Sequence, residues 1–356
     1  MTSPYARPFD VLLAGYFGFG NLGDELLAKA AVDNLTLLGI PRERMAILSN
    51  DPDGSAARFG IKVFNRWNPA CVLGALGASR ALLLPGGGIF QDASSVRSSV
   101  YYWSLIRAAC LRHVPAGAIA QSVGPLRGLL AKKLARDALS VCGYVSVRDS
   151  ASADVLSSMN LRCDVTSDPV LGFELPQAVS REAALVNMRP GCGEVHVAPV
   201  VKAANRISVS GIKITYVAMS GEDASFMRKL RDKGEIPGGE ISMPKDAEDF
   251  SEIARNAGAA VGMRLHFGEM SMLCGLGVIM SPYDPKVRSY AAEWNIELLT
   301  ESENNENFDI MRLLTNSRFR DKKKLTEIRL RIAADFKKAL GRLLGEDDGF
   351  EKARRT

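Results

Sequence analysis

Short apolar runs alternate with amphipathic segments along the first half of the chain. The runs predict buried strands at residues 9–15, 45–48, 61–64, 81–84, 116–120 and 144–147. Between them, apolar side chains recur at the three- to four-residue spacing of a helix face, which predicts helices at residues 22–38, 96–110 and 131–139. Strands that alternate with helices indicate a parallel sheet and therefore an α/β fold.

The second half repeats this alternation without repeating the sequence. It predicts strands at residues 183–187, 212–218, 259–263, 277–280 and 297–299, and helices at residues 223–230 and 247–257. Because residues 174–180 are polar and turn-prone, we expect a domain boundary there. We predict two doubly wound, Rossmann-like domains, over residues 1–175 and 181–317. Since ligands of such sheets bind outside the carboxyl ends of the strands, two facing domains would share one active-site cleft.

Composition narrows the class of protein. With 356 residues, 47% apolar and 24% charged, the chain is long enough for two cores and is not typical of disorder. No apolar run reaches the roughly 18 residues of a membrane helix, and the start lacks a signal-peptide pattern, which predicts a cytoplasmic protein. The net charge of +5 is too small to indicate a nucleic-acid partner, and the six scattered cysteines indicate buried thiols.

The positive charge is concentrated near the end of the chain, where residues 318–356 predict a basic helix and tail. Residues 318–342 hold ten Lys or Arg against three acids, with Leu325, Ile328, Ile332, Phe336 and Leu340 along one helix face. Such a helix either docks on the fold with a solvated basic face or lies on an anionic membrane surface. We favour docking, with peripheral contact at the inner membrane surface as the alternative.

The strongest candidate chemistry follows two strands of the second half. Arg264 and His266 come directly after residues 259–263, and Lys286 follows the run at residues 277–280. Arginine and lysine suit a small phosphorylated carboxylate, and histidine transfers protons near neutral pH. A core histidine with structural ion pairs is the simpler reading of any one of these residues. Three polar groups at the carboxyl ends of adjacent strands favour a binding site.

Glycine-rich turns follow two strands of the first half. The turn after residues 9–15 lacks the spacing of a dinucleotide fingerprint, and Asp24 occupies the start of the next helix, which fits a neutral hydroxyl-bearing substrate better than a phosphate. After residues 81–84, three successive glycines could form a concavity of backbone N–H groups for an anion, or simply a tight turn. These glycines are Gly86, Gly87 and Gly88.

Gln121 and Arg148 end the next two strands. Gln121 opens a turn with Gly124-Pro125. Arg148 could clamp a carboxylate, a geometry that its planar guanidinium suits, or form a weak surface pair with Asp149. Its position at the carboxyl end of a strand makes the two readings about equally attractive.

Taken in order, these motifs resemble the polysaccharide pyruvyl transferase family, in particular the CsaB type that acts on bacterial cell-wall polysaccharide. The resemblance covers about residues 15–286 and is carried by Gly23-Asp24-Glu25, Gly86-Gly87-Gly88 with Gln91-Asp92, Gln121 with Gly124-Pro125, Ser146-Val147-Arg148-Asp149, Asp168-Pro169, Arg264-Leu265-His266 and Tyr283-Asp284-Pro285-Lys286. It implies the two-domain GT-B-like architecture. It also implies transfer of a pyruvyl group from phosphoenolpyruvate to two sugar hydroxyls, forming a ketal, without a metal ion or an organic cofactor.

Asp24, Arg148, His266 and Lys286 match the functional residues of that family, with Arg264 beside them. We expect His266 to protonate the methylene carbon of phosphoenolpyruvate and Asp24 to bind or deprotonate a sugar hydroxyl. The cations Arg148, Arg264 and Lys286 would hold the donor's anionic groups, with the glycine turn and Gln121 lining the site. The acceptor would be a sugar or a lipid-linked saccharide.

Two other functions remain open at this point. Glu269, followed by Cys274-Gly275-Leu276-Gly277, resembles the carboxylate helix of nucleotide-sugar GT-B enzymes, so a glycosyltransferase is one alternative. The other is a non-catalytic sugar- or anion-binding protein. We favour pyruvyl transfer because binding alone needs no proton donor, and because Arg148 would have no evident task in a glycosyltransferase.

Overall fold

The computed structural model describes residues 7–92, 96–300, 314 and 321–345. These residues form two compact units. Unit 1 comprises the described parts of Met1–Phe19, Leu27–Gly172 and Thr326–Thr356, and unit 2 comprises those of Gly20–Leu26 and Phe173–Leu325. Each unit contains one parallel sheet with helices between its strands, which confirms the predicted pair of α/β domains.

Unit 1 has a sheet of seven parallel strands in the order β3-β2-β1-β4-β5-β6-β7. The strands are β1 Phe9–Ala14, β2 Met45–Ser49, β3 Lys62–Asn65, β4 Ser79–Pro85, β5 Ala116–Gln121, β6 Tyr144–Val147 and β7 Asp164–Val165. The central strands are apolar throughout because helices cover both faces of the sheet. Leu12 of β1, for example, pairs with Ala46 on one side and Leu82 on the other, and all three are fully buried.

Six helices follow the strands of the first half: α1 Leu22–Leu37, α2 Pro52–Phe59, α3 Pro69–Gly77, α4 Arg97–Leu111, α5 Leu129–Ser140 and α6 Ser150–Ser158. The predicted helices correspond to α1, α4 and α5, whereas α2, α3 and α6 have only eight or nine residues each and show too little periodicity to predict. Their starts are nevertheless encoded locally, since Asp51 and Asn68 cap α2 and α3 immediately before a proline.

Unit 2 has a sheet of six parallel strands in the order β10-β9-β8-β11-β12-β13. The strands are β8 Ala183–Val186, β9 Lys213–Val217, β10 Glu240–Ser242, β11 Ala257–Gly262, β12 Gly277–Met280 and β13 Glu297–Leu298. The helices are α7 Glu194–Val209, α8 Gly221–Asp232, α9 Ala247–Ala254, α10 Leu265–Leu273 and α11 Pro285–Trp294. The short β7 and β10 and the helix α7, which contains Pro199, were not predicted.

The last described helix, α12 Lys322–Leu344, packs on unit 1. All five apolar residues of its predicted face are buried, which confirms that the helix docks on the fold. Asp335 accepts hydrogen bonds from the hydroxyls of Tyr144 and Ser146. Residues 318–320 and 346–356 of the predicted basic helix and tail lie outside the described residues. Within the described residues, no helix is long and apolar enough to cross a membrane.

The units divide differently from the predicted ranges 1–175, 181–317 and 318–356. The break along the chain falls between Gly172 and Phe173, and α12 joins unit 1 from Thr326 onward. The first turn of α1, within Gly20–Leu26, belongs to unit 2, where the N–H of Leu22 donates to the carbonyl of Met219 at 2.8 Å. These differences arise because long-range packing, which periodicity does not report, assigns both segments.

Each sheet contains a point where the strand order reverses. In unit 1 the reversal lies between β1 and β4, and in unit 2 between β8 and β11. Loops leave these neighbouring strands toward opposite faces of the sheet, which opens a crevice at their carboxyl ends. The predicted site residues follow these strands or their neighbours.

Candidate functional site

In unit 2, Asn187 organises the turn between β11 and α10. This residue follows β8 and is fully buried. Its Oδ1 accepts the backbone N–H of Arg264 at 2.9 Å, and its Nδ2 donates to the carbonyl of Val217 at 2.8 Å. Asn187 therefore joins the ends of three neighbouring strands and fixes the place from which Arg264 and His266 project.

Arg264 is bound to a buried aspartate. Its Nε and Nη2 donate to the two carboxylate oxygens of Asp223 at 3.0 and 2.7 Å, and Nη2 also lies 3.3 Å from the Ser220 hydroxyl. Burial lowers the pKa of Arg264, but Asp223, and to a smaller extent Tyr283 and Asp24, raise it above its ordinary value. The guanidinium is therefore charged and oriented, and its Nη1 has no hydrogen-bond partner within the part of the chain that the structure describes.

His266 lies in the first turn of α10, against the first turn of α1. A methyl group on the α-carbon of Gly23 would lie only 2.0 Å from Nδ1 of His266, so only glycine allows the ring this position. Nε2 of His266 lies 4.0 Å from a carboxylate oxygen of Glu269, which is almost fully buried. A buried carboxylate at this distance restricts the orientation of the imidazole.

Asp24 belongs to the same end of unit 2. One oxygen of its carboxylate accepts the amide N–H of Asn21 at 2.6 Å, and Asn21 Oδ1 lies 3.3 Å from the N–H of Gly23. Since Asp24 is among the charges that raise the pKa of Arg264, the carboxylate and the guanidinium are near neighbours. The structure thus brings Asp24, Arg264 and His266 together at one end of unit 2.

Lys286 lies in the first turn of α11. Asp284 caps this helix by accepting the N–H of Lys286 at 3.1 Å. The ammonium group is 3.6 Å from the other oxygen of Asp284, and the side chain is 27% exposed. This distance is too long for a hydrogen bond, so the ammonium remains able to bind an anionic ligand.

Arg189 is a further cation that the sequence analysis missed. It follows β8, and its guanidinium carbon lies 4.9 Å from the ring centroid of Tyr283, with Nη1 donating to the phenol oxygen at 3.2 Å. Burial raises the pKa of the neighbouring Cys192, a shift that Arg189 and Arg264 oppose. Arg189 and Arg264 therefore both lie near Cys192. Its position directly after an apolar strand was the available signal, as it was for Arg264.

In unit 1, the predicted glycine turn follows β4. Gly86 and Gly87 have φ angles of 71° and 92°, in the left-handed region that favours glycine. The N–H of Gly86 donates to the carbonyl of Ile119 at 2.6 Å. Among the described residues, neither Gly87 nor Gly88 donates its N–H to another backbone group, so two adjacent donors remain for an anion.

Gln121 supports this turn from inside the unit. The residue is fully buried, and its Nε2 lies 2.7 Å from the carbonyl of Leu84 and 2.9 Å from that of Gly86. The amide therefore holds the end of β4 and the start of the turn. Its predicted contact with substrate remains a prediction, and the bonds that it makes are structural.

Arg148 is also buried in unit 1. Its Nη1 binds the carboxylate of Asp168, and its Nε donates to the hydroxyl of Ser122 at 2.7 Å. The alternative of a surface pair with Asp149 was wrong, because Asp149 instead caps α6 by accepting the N–H of Ser152 at 2.7 Å. The predicted role of Arg148 in donor binding would require exchange of Asp168 for a donor carboxylate.

Several solved structures share this fold. They include UDP-GlcNAc 2-epimerase from Neisseria meningitidis bound to UDP-GlcNAc, with a TM-score of 0.59 at 12% identity over 95% of this chain and 100% of that chain. They also include Anabaena HepE in complex with UDP, with a TM-score of 0.56 at 12% identity over 94% and 95% of the two chains. S. aureus MnaA with UDP gives 0.55 at 13% identity over 92% of each chain. Such low identity establishes the fold alone, which is the GT-B-like fold of these proteins.

Sequence comparison is more specific. No curated protein matches the chain, but residues 21–285 match the family model described as polysaccharide pyruvyl transferase. The match begins at the first turn of α1 and ends at the first residue of α11, so it contains Asp24, Arg148, Arg264 and His266. Since this segment is well over half of the chain, the chain belongs to the polysaccharide pyruvyl transferase family.

Proposed function

We propose that this protein transfers the pyruvyl group of phosphoenolpyruvate to two hydroxyls of a cell-wall polysaccharide sugar, as the CsaB type does. The observation that carries the proposal is the close packing of the His266 ring against Gly23, beside Asp24 and Arg264. It puts a proton-transfer group, a carboxylate and a charged guanidinium at one end of unit 2. Membership of the family supports the same reaction.

In this reaction His266 gives a proton to the methylene carbon of phosphoenolpyruvate, which becomes a methyl group. Carbon 2 then bonds to the oxygen of the first sugar hydroxyl, whose proton passes to Asp24. The bond from carbon 2 to the phosphate oxygen breaks, phosphate leaves, and the second hydroxyl closes the ketal. Of the two hydroxyl protons, one replaces the proton that ended in the methyl group and the other leaves with phosphate. No metal ion or organic cofactor takes part in this scheme.

The donor carries a carboxylate and a phosphate, so its site needs several fixed cations. Within unit 2, we assign this task to Nη1 of Arg264, to the ammonium of Lys286 and to Arg189. In unit 1, Arg148 binds an anion only if Asp168 is exchanged for it, whereas Oε1 of Gln121 has no hydrogen-bond partner among the described residues. Glu269 orients the imidazole of His266. A carboxylate only 1% exposed is poorly placed for the ribose contact of a glycosyltransferase.

Calorimetric titration tests the donor. Phosphoenolpyruvate and UDP-GlcNAc are each titrated into the wild-type protein and into the Arg264→Ala variant, with Arg228→Ala, on an exposed face of α8, as a matched control for loss of an arginine. Binding of phosphoenolpyruvate that is lost only in Arg264→Ala supports the proposal. Binding of UDP-GlcNAc alone would contradict it and make the protein a nucleotide-sugar enzyme.

The acceptor is either a free or a lipid-linked saccharide. If it is lipid-linked, contact with the inner membrane surface would be electrostatic, because the apolar face of α12 is already buried in unit 1 and its exposed lysines carry the charge. Replacement of Lys322, Lys323 and Lys337 by glutamate should then abolish flotation with anionic vesicles at low salt. Unchanged flotation would exclude this contact.

A further inference from the structure

Unit 1 carries a cluster of aromatic side chains at the carboxyl ends of β1 and β3. We call it the aromatic platform, and it consists of Tyr16, Phe19, Trp67 and Tyr101. Tyr16 stacks on Phe19 with ring centroids 4.0 Å apart and planes 10° apart. Trp67 meets Phe19 edge-on at 6.3 Å and Tyr101 at 5.9 Å. The four rings therefore form a continuous row.

A buried arginine supports the row. Arg66 is 4% exposed, and its Nη1 donates to the carbonyl of Gly15 at 2.5 Å. Its guanidinium carbon lies 4.3 Å from the ring centroid of Tyr101, 5.0 Å from that of Phe19 and 5.3 Å from that of Trp67. Within the described residues it has no ion-pair partner, so the rings and the carbonyl stabilise its charge. Arg66 thereby ties the loop after β1 to the residues after β3.

The platform is exposed and yet ordered. Trp67 is 59% exposed and Tyr16 is 44% exposed. Nε1 of Trp67 donates to Oδ1 of Asn50 at 2.7 Å, and Nδ2 of Asn50 donates to the carbonyl of Gly18 at 3.0 Å. Large rings that are fixed in water, rather than packed away, are typical of ligand contacts, because little conformational entropy is lost when they bind.

The chemistry of the platform selects a class of ligand. A pyranose ring has a face of C–H groups whose partial positive charge matches the negative face of an aromatic ring. Arg66, the cation that the described contacts place against these rings, is buried, so the exposed surface suits a neutral ring rather than an anion. Its place at the carboxyl end of the sheet is where ligands of such folds bind.

We propose that the aromatic platform stacks a pyranose ring of the neutral saccharide acceptor, with Trp67 and Tyr16 as the contacting rings. Arg66 is a positioning residue, since it holds the rings and is itself covered. The inference rests on the proposed function for the identity of this saccharide as the acceptor. The platform is distinct from the charged groups of unit 2, to which the donor is assigned.

Saturation-transfer NMR tests the platform directly. The probes are methyl β-D-glucopyranoside, methyl α-D-mannopyranoside and methyl β-D-galactopyranoside, each with the wild-type protein and with Trp67→Ala, Tyr16→Ala and Trp67→Phe. Leu111→Ala is the matched control, because Leu111 is an exposed apolar residue at the end of α4. We expect at least one glycoside to bind, with saturation of its ring C–H protons, and about tenfold weaker binding in Trp67→Ala and Tyr16→Ala.

Trp67→Phe should recover most of the binding, since it keeps a ring, and Leu111→Ala should bind as the wild type does. Equal binding by the wild type and both alanine variants would contradict the proposed role of the aromatic platform. Absence of binding by any glycoside would contradict it as well. Preferential binding of uridine, or of neutral lipid vesicles, would also overturn it, because the platform would then serve a base or a membrane.

Titration of phosphoenolpyruvate into Trp67→Ala separates this inference from the proposed function. Unchanged donor binding together with weakened glycoside binding supports both. If neither the wild type nor the variant binds phosphoenolpyruvate, the donor proposal fails, while the glycoside results still decide the platform. In the turnover assay, Trp67→Ala should raise KM for the acceptor about tenfold and leave KM for phosphoenolpyruvate unchanged.

Discussion

Arg148 of unit 1 and Arg264 of unit 2 occupy similar positions, each just after a parallel strand and each bound to a buried aspartate. In the Arg148–Asp168 pair both side chains are 4% exposed, whereas in the Arg264–Asp223 pair the aspartate is fully buried and the arginine is 16% exposed. Both side chains of the first pair are buried, whereas in the second Nη1 of Arg264 has no hydrogen-bond partner among the described residues. The same two residue types therefore form a more deeply buried pair in unit 1 than in unit 2.

The surfaces at the carboxyl ends of the two sheets also differ between the units. Beyond β1 and β3, unit 1 exposes the aromatic platform, and Arg66, which supports it, is buried. Beyond β8, β11 and β12, unit 2 presents Arg189, Arg264 and Lys286 together with His266. A neutral sugar and an anionic donor need these two kinds of surface, which is the division of labour that we propose.

The largest effect is expected from His266→Gln. Glutamine retains a polar side chain of similar size but cannot give up a proton, so kcat should fall by about 10²–10⁴-fold while the melting temperature changes little. His113→Gln, at an exposed position after α4, is the control and should be fully active. Wild-type turnover by His266→Gln would remove the general-acid role and weaken the assignment of chemistry to unit 2.

The two ion pairs should differ in their effect on stability. Asp168→Asn leaves the Arg148 charge buried without its partner and should cost about 3–5 kcal/mol, or roughly 10 °C in melting temperature. Asp223→Asn should cost less, because the partly exposed Arg264 can recover water. Thermal unfolding followed by circular dichroism measures both. Equal losses would show that the two pairs are used alike.

Gly23→Ala tests the packing of the His266 ring against α1 without changing any polar side chain. The added methyl group overlaps Nδ1 of His266, so the ring must move, and turnover should fall about 10- to 100-fold. Gly221→Ala is a matched control at the first residue of α8, where an added methyl group meets no atom within 4 Å. A Gly23→Ala protein as active as this control would contradict the proposed position of the catalytic ring.

The smallest effect on stability is expected from replacement of Asp92, which lies in the loop after β4 of unit 1. The backbone N–H groups of Arg127 and Gly128 hold the pKa of Asp92 below its ordinary value of 3.8. A lowered pKa in the folded state contributes stability above that value, and this contribution is lost as the pH falls through the folded-state pKa. Asp92→Asn should therefore flatten the decline of melting temperature below about pH 4. An unchanged slope would show that Asp92 does not stabilise this turn.

Much of the fold follows from the sequence because buried parallel strands are continuous apolar runs. All eleven predicted strands correspond to observed strands, from β1 to β13, and only the two- and three-residue β7 and β10 were missed. Helix α7 was missed because Pro199, a residue that usually interrupts helices, lies inside it.

The candidate site could be predicted only through one rule, namely that polar residues just after a parallel strand lie where ligands bind. That rule found Arg264, His266 and Lys286, and applied evenly it would have found Arg189. It could not distinguish exposed from buried groups. Gln121 and Arg148 are both buried, Nε2 of Gln121 and the guanidinium of Arg148 bind within unit 1, and contact of either residue with a ligand remains a prediction. Their partners, such as Asp168, come from loops whose approach depends on tertiary packing.

The docking of α12 on unit 1 has a consequence for synthesis of the chain. The hydroxyl of Tyr144 is bound by Asp335, 191 residues later, and Leu343 fills the space above Gly117. The ribosome must therefore produce all of unit 2 before unit 1 can complete its core. At about 5–20 residues per second, this delay is on the order of 10–40 s. During that interval the residues of β5 and β6 that α12 covers are exposed, so nascent unit 1 should depend on chaperones more than unit 2 does.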